Sequence, residues 1–313
     1  MITIHYGHQL SVYYDDGIIE GVFAIPCFLS KEAAHSDNWI EAEINGIQHS
    51  YTFGVPDAEG VEYIALEDTQ SYLIIIAALA QLPFTEIREV TIVANKEYTE
   101  KLASELTNLK ALVTRTGHQI RIQLDTVRVL PEITAGVYDL CLKRKDRELV
   151  EREDLLKSVN LIISINSRET DWVLLDGLTI LDGGTFYFSI NTILVELKDY
   201  YYQKTGKSLG PSAAMIALAT NEIKISSIKK EKVDQISSIG KDKLTQKAID
   251  AVNNLSLIKN PDRIIITGEG AAYLEPNHQD LLAANDIQTF KTANYALLRG
   301  SVIINALQGY GGH

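Results

Sequence analysis

The chain has 313 residues, 46% of them hydrophobic, so it is long enough to bury two cores and we expect two lobes. Its 29 lysines and arginines against 41 aspartates and glutamates give a net charge of −12, which disfavours direct binding to nucleic acid. The two cysteines, Cys27 and Cys141, provide neither a disulfide framework nor metal-ligand spacing, as is typical of a reduced, cytoplasmic protein.

No targeting or membrane segment is predicted. The N-terminus lacks a basic region followed by an apolar core, so we expect no signal peptide. The longest uninterrupted apolar stretch, Leu73–Ala80, is far too short to span a bilayer. A cytoplasmic protein without a membrane partner is the expectation.

The first half opens with alternating apolar and polar residues that predict three antiparallel strands, Ile2–Tyr6, Leu10–Tyr14 and Ile18–Ile25. Asn45-Gly46 then predicts a hairpin between 40–44 and 47–53. Further strands are predicted at 89–94 and 120–129, and helices at 66–82, 96–109 and from Pro131. The mixed-charge run Lys143–Lys157 is interpreted as a solvated helix rather than a binding patch.

The second half repeats this order of elements from Val159 onward. Within Leu161–Gly184, a strand, a polar turn and a hairpin follow one another, and Asp176-Gly177 predicts a type I′ turn. Arg263–Thr267 is a predicted strand. Helices are predicted at 193–202, 212–220, 244–257 and 295–307, with a loose tail at 309–313. The lysine-rich stretch 224–232 is most simply a solvated face, with a contact to an acidic neighbour in a filament as the alternative.

Four segments together resemble the actin/Hsp70 superfamily, and most closely the ParM-type actins that segregate plasmids. They are residues 40–54, 83–101, 124–140, and 263–276 with 290–304. The resemblance implies an α/β, actin-like (ribonuclease H-like) fold of two related lobes with a nucleotide cleft between them. Lobe I would be 1–158, with a small subdomain at about 26–60 and the C-terminal helix 295–313 returning to it. Lobe II would be 159–294, with a small subdomain at about 205–245.

The resemblance also implies a function. Such proteins bind ATP (or GTP) with Mg²⁺ in the cleft, polymerise head to tail and hydrolyse the nucleotide. A DNA-binding adaptor protein then links the filament to DNA. In this chain Glu132, directly after Pro131, would be the catalytic residue that orients the attacking water. The structural alternative is that Glu132 lies in the first turn of a helix, where the helix dipole favours an acidic residue.

The two phosphate motifs depart from the family pattern. The first normally has an aspartate at the end of the first strand, where this chain has His5, Tyr6, Gly7, His8 and Gln9. The second is best placed on 164–171, where only the final aspartate is kept. The candidate nucleotide contacts are His5, Gly7, His8, Gln9, Ser164, Asn166, Ser167, Arg168, Asp171, Gly268, Glu269, Gly270 and Ala271.

These departures predict a weakened Mg²⁺ site, because the ion prefers carboxylate oxygens and two are replaced by imidazole and hydroxyl. Asn166-Ser167 would narrow the access that glycines give to phosphate, and Arg168 would offset part of the loss. No protein-bound metal is predicted, and a zinc pair of His5 and His8 is disfavoured. An alternative register gives the phosphate role to 182–185, Asp-Gly-Gly-Thr.

Simpler structural explanations remain beside several of these assignments. His5 would otherwise be a core histidine, Arg168 a surface partner of Glu169 or Asp171, and Gly268 with Gly270 an ordinary turn. Two functions are carried forward. The first is a ParM-like filament protein with slow or altered hydrolysis. The second is a non-enzymatic pseudo-actin scaffold or filament partner. A sugar or acetate kinase of the same superfamily is a more remote possibility, since the sequence shows no group of residues that would bind a second substrate beside the nucleotide.

Overall fold

A computed structural model describes residues 1–7, 9–26, 28–30, 39–53, 62–63, 71–94, 98–145, 148–226, 229–274, 287–289 and 296–310. Internal contacts divide the chain into two compact units. The first is Met1–Ala135 with Leu297–Asn305, and the second is Gly136–Ala296 with Ala306–His313. This division falls at Ala135, whereas the sequence argument separates the lobes after residue 158; the lobe and subdomain limits stay a prediction.

The described part of the first unit contains a sheet of ten strands in the order β3-β2-β1-β8-β10-β9-β5-β6-β4-β7. Its strands are β1 Ile2–Tyr6, β2 Gln9–Asp15, β3 Glu20–Pro26, β4 Phe28–Ser30, β5 Trp39–Ile44, β6 Ile47–Phe53, β7 Glu62–Tyr63, β8 Glu86–Ala94, β9 Lys110–Arg115 and β10 His118–Pro131. The three central strands β1, β8 and β10 run parallel, and their neighbours are antiparallel. The three opening strands are confirmed, whereas β9 was not predicted.

Two local predictions in this unit hold for the expected physical reasons. Asn45 and Gly46 both have positive φ, 49° and 84°, as a type I′ hairpin turn requires. The first helix, α1 (Ser71–Leu79), is buried nearly all round. Its carbonyl at Leu73 accepts a hydrogen bond of 2.9 Å from the buried Tyr51 hydroxyl. Residues 66–70 of the predicted helix lie outside the described residues.

Two further helices follow in this part of the chain. The amphipathic segment predicted at 96–109 forms α2 (Thr99–Leu106), which buries Leu102 and Leu106. After β10, α3 (Glu132–Cys141) begins at the residue proposed as catalytic. Its first turn therefore starts directly where a central parallel strand ends.

The charged run Lys143–Lys157 is not a helix, so that prediction is wrong. Its backbone forms an antiparallel pair of strands, closed by a hydrogen bond of 2.9 Å from the Arg152 amide to the Cys141 carbonyl. Only one short helical turn follows. The elements are β11 Leu142–Lys145, β12 Glu148–Glu151 and α4 Glu153–Leu156. Charges of both signs suit any solvated surface, so their mixture does not distinguish a helix from a hairpin.

The second unit contains a five-stranded sheet among its described residues, in the order β15-β14-β13-β18-β19. A separate two-stranded hairpin, β16 with β17, carries the lysine-rich stretch. The strands are β13 Val159–Ile165, β14 Thr170–Asp176, β15 Thr179–Phe186, β16 Glu222–Lys224, β17 Lys230–Lys232, β18 Arg263–Thr267 and β19 Ile287–Thr289. The predicted strand, turn and hairpin at the start of this unit are confirmed.

The hairpin turn itself differs from the prediction. Asp176 pairs with Thr179, so the two loop residues are Gly177 and Leu178 rather than Asp176 and Gly177. Of these loop residues, Gly177 alone has positive φ, at 58°. Glycine at the first loop position with this conformation is the pattern of a type II′ turn.

The second unit also contains the helices α5 Asn191–Thr205, α6 Pro211–Thr220 and α7 Asp234–Lys259, with a 3₁₀ helix at Glu269–Tyr273. The last helix, α8 Ala296–Tyr310, contributes Leu297–Asn305 to the first unit. The long α7 starts ten residues before the predicted helix. Its Gly240 lies so close to α5 that an added Cβ would be 2.7 Å from the Ile193 Cα. The predicted loose tail is wrong for Gly309 and Tyr310, which are helical; 311–313 lie outside the described residues. No described helix is long and apolar enough to cross a membrane.

Candidate functional site

The proposed first phosphate turn lies at the carboxyl end of the parallel centre of the first sheet. His5, near the end of β1, pairs in register with Val93 on β8, and Val93 pairs with Leu130 on β10. The carboxyl ends of parallel strands meet at one edge of a sheet, where α/β folds commonly bind ligands. The sheet order therefore brings the end of β1 close to the start of α3.

His5 and Glu132 meet there as a buried pair. The His5 Nε2 atom lies 3.0 Å from the Glu132 Oε1 atom. His5 is 4% exposed and Glu132 is 3% exposed. The other carboxylate oxygen, Oε2, is buried and has no hydrogen-bond partner among the described residues. A buried polar atom without a protein partner is unusual and points to a bound water or a functional role.

Helix packing fixes the start of α3. Gly300 of α8 lies against this first turn, where a Cβ would be only 1.7 Å from the Ala135 carbonyl oxygen. Val93, Ala135 and Leu297 form an apolar cluster, with Leu130 packed against it. The first turn of α3, which contains Glu132, is therefore packed against Gly300 on one side and against apolar side chains on another.

The other residues of the first predicted motif have a simple placement. Gly7 is buried directly after β1, and Gln9 is the first residue of β2. His8 lies outside the described residues. Their nucleotide contacts stay a prediction.

The second predicted motif forms a tight turn between β13 and β14. The Asn166 amide donates a hydrogen bond of 3.0 Å to the Glu169 carbonyl, which closes the turn. The Ser164 hydroxyl donates to Asn166 Oδ1 at 2.9 Å. Ser167 and Arg168 are half-buried at its tip. The Asn166 Nδ2 donor is buried without a partner among the described residues.

Asp171 lies directly beside this turn. Ser164 and Asp171 are opposite each other in the antiparallel pairing of β13 with β14, so their side chains share one face of the sheet. Asp171 is buried, and its Oδ1 accepts a hydrogen bond of 2.8 Å from the Thr185 hydroxyl. The one aspartate that the motif keeps is therefore engaged by a neighbouring strand.

The glycine loop after β18 packs onto the same turn. Ser164 pairs with Thr267 in the parallel register of β13 and β18, which places the two loops side by side. Gly268 has φ 89°, and a Cβ there would lie 2.4 Å from the Ile165 carbonyl oxygen. A Cβ on Gly270 would lie 2.3 Å from Ile165 Cγ2. Both glycines are thus required by packing, whatever else they contact.

The rest of this loop forms the 3₁₀ helix. Glu269 is half-buried and starts it, and the buried Ala271 donates its amide to the Gly268 carbonyl at 3.1 Å. The loop is therefore internally hydrogen-bonded and held against the turn at 166–169. Its contact with a nucleotide stays a prediction.

The alternative register at Asp182 does not have the geometry of a phosphate turn. Residues 182–185 lie inside β15, the edge strand of the second sheet, and not at a strand end. Asp182 forms an ion pair with Lys259, and this contact lowers the pKa of the carboxyl group. Gly184 is needed there because a Cβ would be 2.8 Å from the Trp172 indole nitrogen. The Asp-Gly-Gly sequence is explained by strand packing.

The carboxylates of Glu132 and Asp171 are already engaged by other side chains. Among the described residues, no group of three or more histidine, cysteine, aspartate or glutamate side chains could hold a metal ion. The Glu132 carboxylate is shared with an imidazole, and Asp171 with a hydroxyl. Hard cations favour several free carboxylate oxygens, so neither carboxylate by itself fits Mg²⁺.

Sequence reasoning selected His5 and Glu132 separately but missed their contact. They are 127 residues apart, and no local pattern links them. The resemblance to ParM-type actins placed both residues in the nucleotide site, and this was the one indication from the sequence that they lie close together.

Comparison with known proteins gives similarity in structure only: no family model matches the chain, and no curated protein is similar to it in sequence. A subunit of a 15-stranded ParM filament from Clostridium botulinum has a TM-score of 0.74 at 13% identity, covering 98% of both chains. An archaeal actin homologue has a TM-score of 0.71 at 14% identity, covering 99% of this chain and all of its own. Bacillus thuringiensis ParM with ATP has a TM-score of 0.65 at 14% identity, covering 99% of both. The chain therefore has the actin-type fold, in the form found in ParM proteins and archaeal actin homologues.

Proposed function

We propose that this protein is an actin-like filament protein that binds a nucleoside triphosphate, with slow or altered hydrolysis, and acts in plasmid or other DNA segregation. The observation that carries the proposal is the similarity of fold along almost the whole chain to ParM proteins, including one solved as a filament and one solved with ATP. The two matches cover 98–99% of this chain and 98–99% of those proteins.

The second unit supplies hydrogen-bond donors of the kind that bind phosphate oxygens. Asn166 holds a buried N–H without a partner among the described residues, and Arg168 lies half-buried at the tip of the same turn. Guanidinium groups bind phosphate oxygens in charge-assisted pairs that need no metal ion. Nucleotide binding with little dependence on Mg²⁺ is the consequence.

The first unit supplies Glu132 as the acceptor that orients an attacking water. Its Oε1 is bonded to His5, while Oε2 has no partner among the described residues and is available to a water. A water held by a carboxylate is placed for attack on a γ-phosphate. Hydrolysis would be slow because two carboxylates of the family's Mg²⁺ site are replaced, by His5 and by Ser164.

Filament assembly follows from head-to-tail contacts between identical copies, which do not close into a ring. With a net charge of −12, the protein repels a DNA backbone, so a basic adaptor protein would have to connect the filament to DNA. The cytoplasm is the proposed location.

A non-enzymatic pseudo-actin is the second candidate. The residues His5 and Ser164 favour it, because they stand where the family has aspartates and leave a Mg²⁺ ion with fewer carboxylate oxygens. Such a protein would form filaments or join a partner filament through its surfaces alone.

Binding of a fluorescent ATP analogue, in Mg²⁺ and in EDTA, tests the nucleotide proposal. The proposal predicts similar affinity in both buffers, and a loss of about 10–100-fold for Arg168→Ala from the value of a charge-assisted pair. Arg88→Ala is the matched control, since Arg88 is exposed and paired with Glu86, and it should leave affinity unchanged. Filaments seen by negative-stain microscopy without any nucleotide binding would support the pseudo-actin instead.

A further inference from the structure

The buried pair of His5 and Glu132 divides the glutamate's two oxygens between two tasks. Glu132 is 3% exposed, and a buried carboxylate oxygen needs a hydrogen-bond donor facing it. His5 supplies that donor at 3.0 Å from Oε1. With Glu132 ionised, the Nε2–H group donates and Oε1 accepts, which fixes the carboxylate plane.

The other oxygen then has one fixed position. Oε2 is buried and lacks a partner among the described residues. A buried acceptor of this kind is ordinarily satisfied by an ordered water. Because Oε1 is held, a water bound at Oε2 has a defined place relative to the protein.

The surroundings of the pair keep it rigid. His5 lies on a strand paired in register with β8, and β8 is paired in register with β10, which leads into Glu132. Gly300 of α8 fits closely against Ala135 in the first turn of α3. The backbone on each side of the pair is held by strand pairing and close helix packing, and both side chains are buried.

We infer that His5 is the positioning residue for Glu132: it holds Oε1 so that Oε2 orients the water that attacks the γ-phosphate. This inference rests on the proposed nucleotide hydrolysis. His5 itself neither touches the water nor transfers a proton, so its effect passes through the geometry of Glu132.

A consequence separates this inference from a simple loss of a metal ligand. An aspartate in place of His5 would put a second carboxylate beside Glu132 in a buried site, and without a cation between them two carboxylates at short range cannot both stay ionised. His5→Asp would therefore lower turnover rather than restore it. A chain whose only defect was a missing carboxylate would behave in the opposite way.

The test measures the rate of phosphate release and the KM for ATP in four variants, at a temperature at which all of them are folded. His5→Leu removes the donor, and kcat should fall about 10–100-fold with KM nearly unchanged, the scale seen when a reacting group is misplaced. His5→Gln keeps an N–H near the Nε2 position and should retain kcat within about threefold. The kcat of His5→Asp should fall to a similar extent as that of His5→Leu. Thr3→Val, on the same face of β1 and also fully buried, is the control and should retain kcat.

The outcomes are distinct. Wild-type protein that releases phosphate, with His5→Leu equal to it, overturns the inference and leaves the proposed function standing. Increased turnover in His5→Asp also overturns it. Wild-type protein that binds ATP without releasing phosphate contradicts the hydrolysis itself, and the positioning role is rejected with it. If His5→Leu does not fold, unequal turnover of His5→Gln and His5→Asp still decides the question.

Discussion

Replacing Gly268 by alanine tests whether the loop after β18 is fixed by packing within the second unit. Gly268 has φ 89° and ψ 170°, a region of backbone conformation that is essentially restricted to glycine. A Cβ at this position would also lie 2.4 Å from the Ile165 carbonyl oxygen and 2.8 Å from Asn166 Oδ1. The substitution thus meets two separate penalties.

The two penalties can be estimated separately. Backbone strain of this kind costs about 1–3 kcal/mol, and overpacking against atoms that cannot swing away costs about 1–3 kcal/mol. Gly268→Ala should therefore lower the free energy of unfolding by about 2–6 kcal/mol. Scaled by typical unfolding entropy per residue, this corresponds to a fall in Tm of roughly 3–9 °C.

Gly206→Ala is the matched control in the same unit. Gly206 has φ 70°, but nothing lies within 4 Å of its Cβ position, so it meets backbone strain of about 1–2 kcal/mol alone. Differential scanning calorimetry and urea unfolding should rank Gly268→Ala well below Gly206→Ala. Equal losses would show that the contact with Ile165 is not tight, and the packing explanation of the glycine loop would be rejected.

Three further changes have defined outcomes. Tyr51→Phe leaves the Leu73 carbonyl without its buried donor and should destabilise by about 1 kcal/mol in urea unfolding; an unchanged midpoint contradicts the hydrogen bond. Gly300→Ala forces a Cβ to 1.7 Å from the Ala135 carbonyl oxygen, so we expect a loss of about 3 kcal/mol by the same measurement, and wild-type stability would refute it. Burial raises the pKa of the Cys141 thiol from 9.0 to about 11, so the unfolded thiol ionises first and stability falls as the pH rises from 9 to 11. Cys141→Ala should lack that part of the decline, roughly 2–3 kcal/mol, and an identical pH profile would contradict it.

Local sequence signals predict those elements whose pattern is set by the element itself. Ile2–Tyr6 alternates apolar and polar residues, Arg263–Thr267 is a short apolar run with polar ends, and both strands have the predicted limits. Asn45-Gly46 adopts the turn that its residues favour. In each case the deciding interaction lies within a few residues of the chain.

Elements that depend on distant packing are predicted less well. The first ten residues of α7 are mostly polar and contain Gly240, which weakens the helical pattern, yet glycine is needed there for the close approach to Ile193. β9 is a short strand that joins β10 to β5, and its role depends on both partners. These requirements arise from tertiary contacts, which a local pattern does not contain.

The candidate site shows the same division. The turn at 166–169 and the glycine loop are recognisable from sequence, but their contact is set by the parallel pairing of β13 with β18. The pairing of His5 with Glu132 depends on the order β1-β8-β10 in the sheet. The resemblance to ParM-type actins supplied the assignment of these residues, and sheet topology supplies their geometry.

Right-angle light scattering with parallel phosphate release tests the central proposal most directly. The protein would be mixed with ATP, with GTP or without nucleotide, each in Mg²⁺ and in EDTA. The proposal predicts scattering that rises only with nucleotide, with a weak dependence on Mg²⁺, and that decays slowly as phosphate appears. Scattering that is independent of nucleotide, without phosphate release, would contradict it and identify a pseudo-actin scaffold.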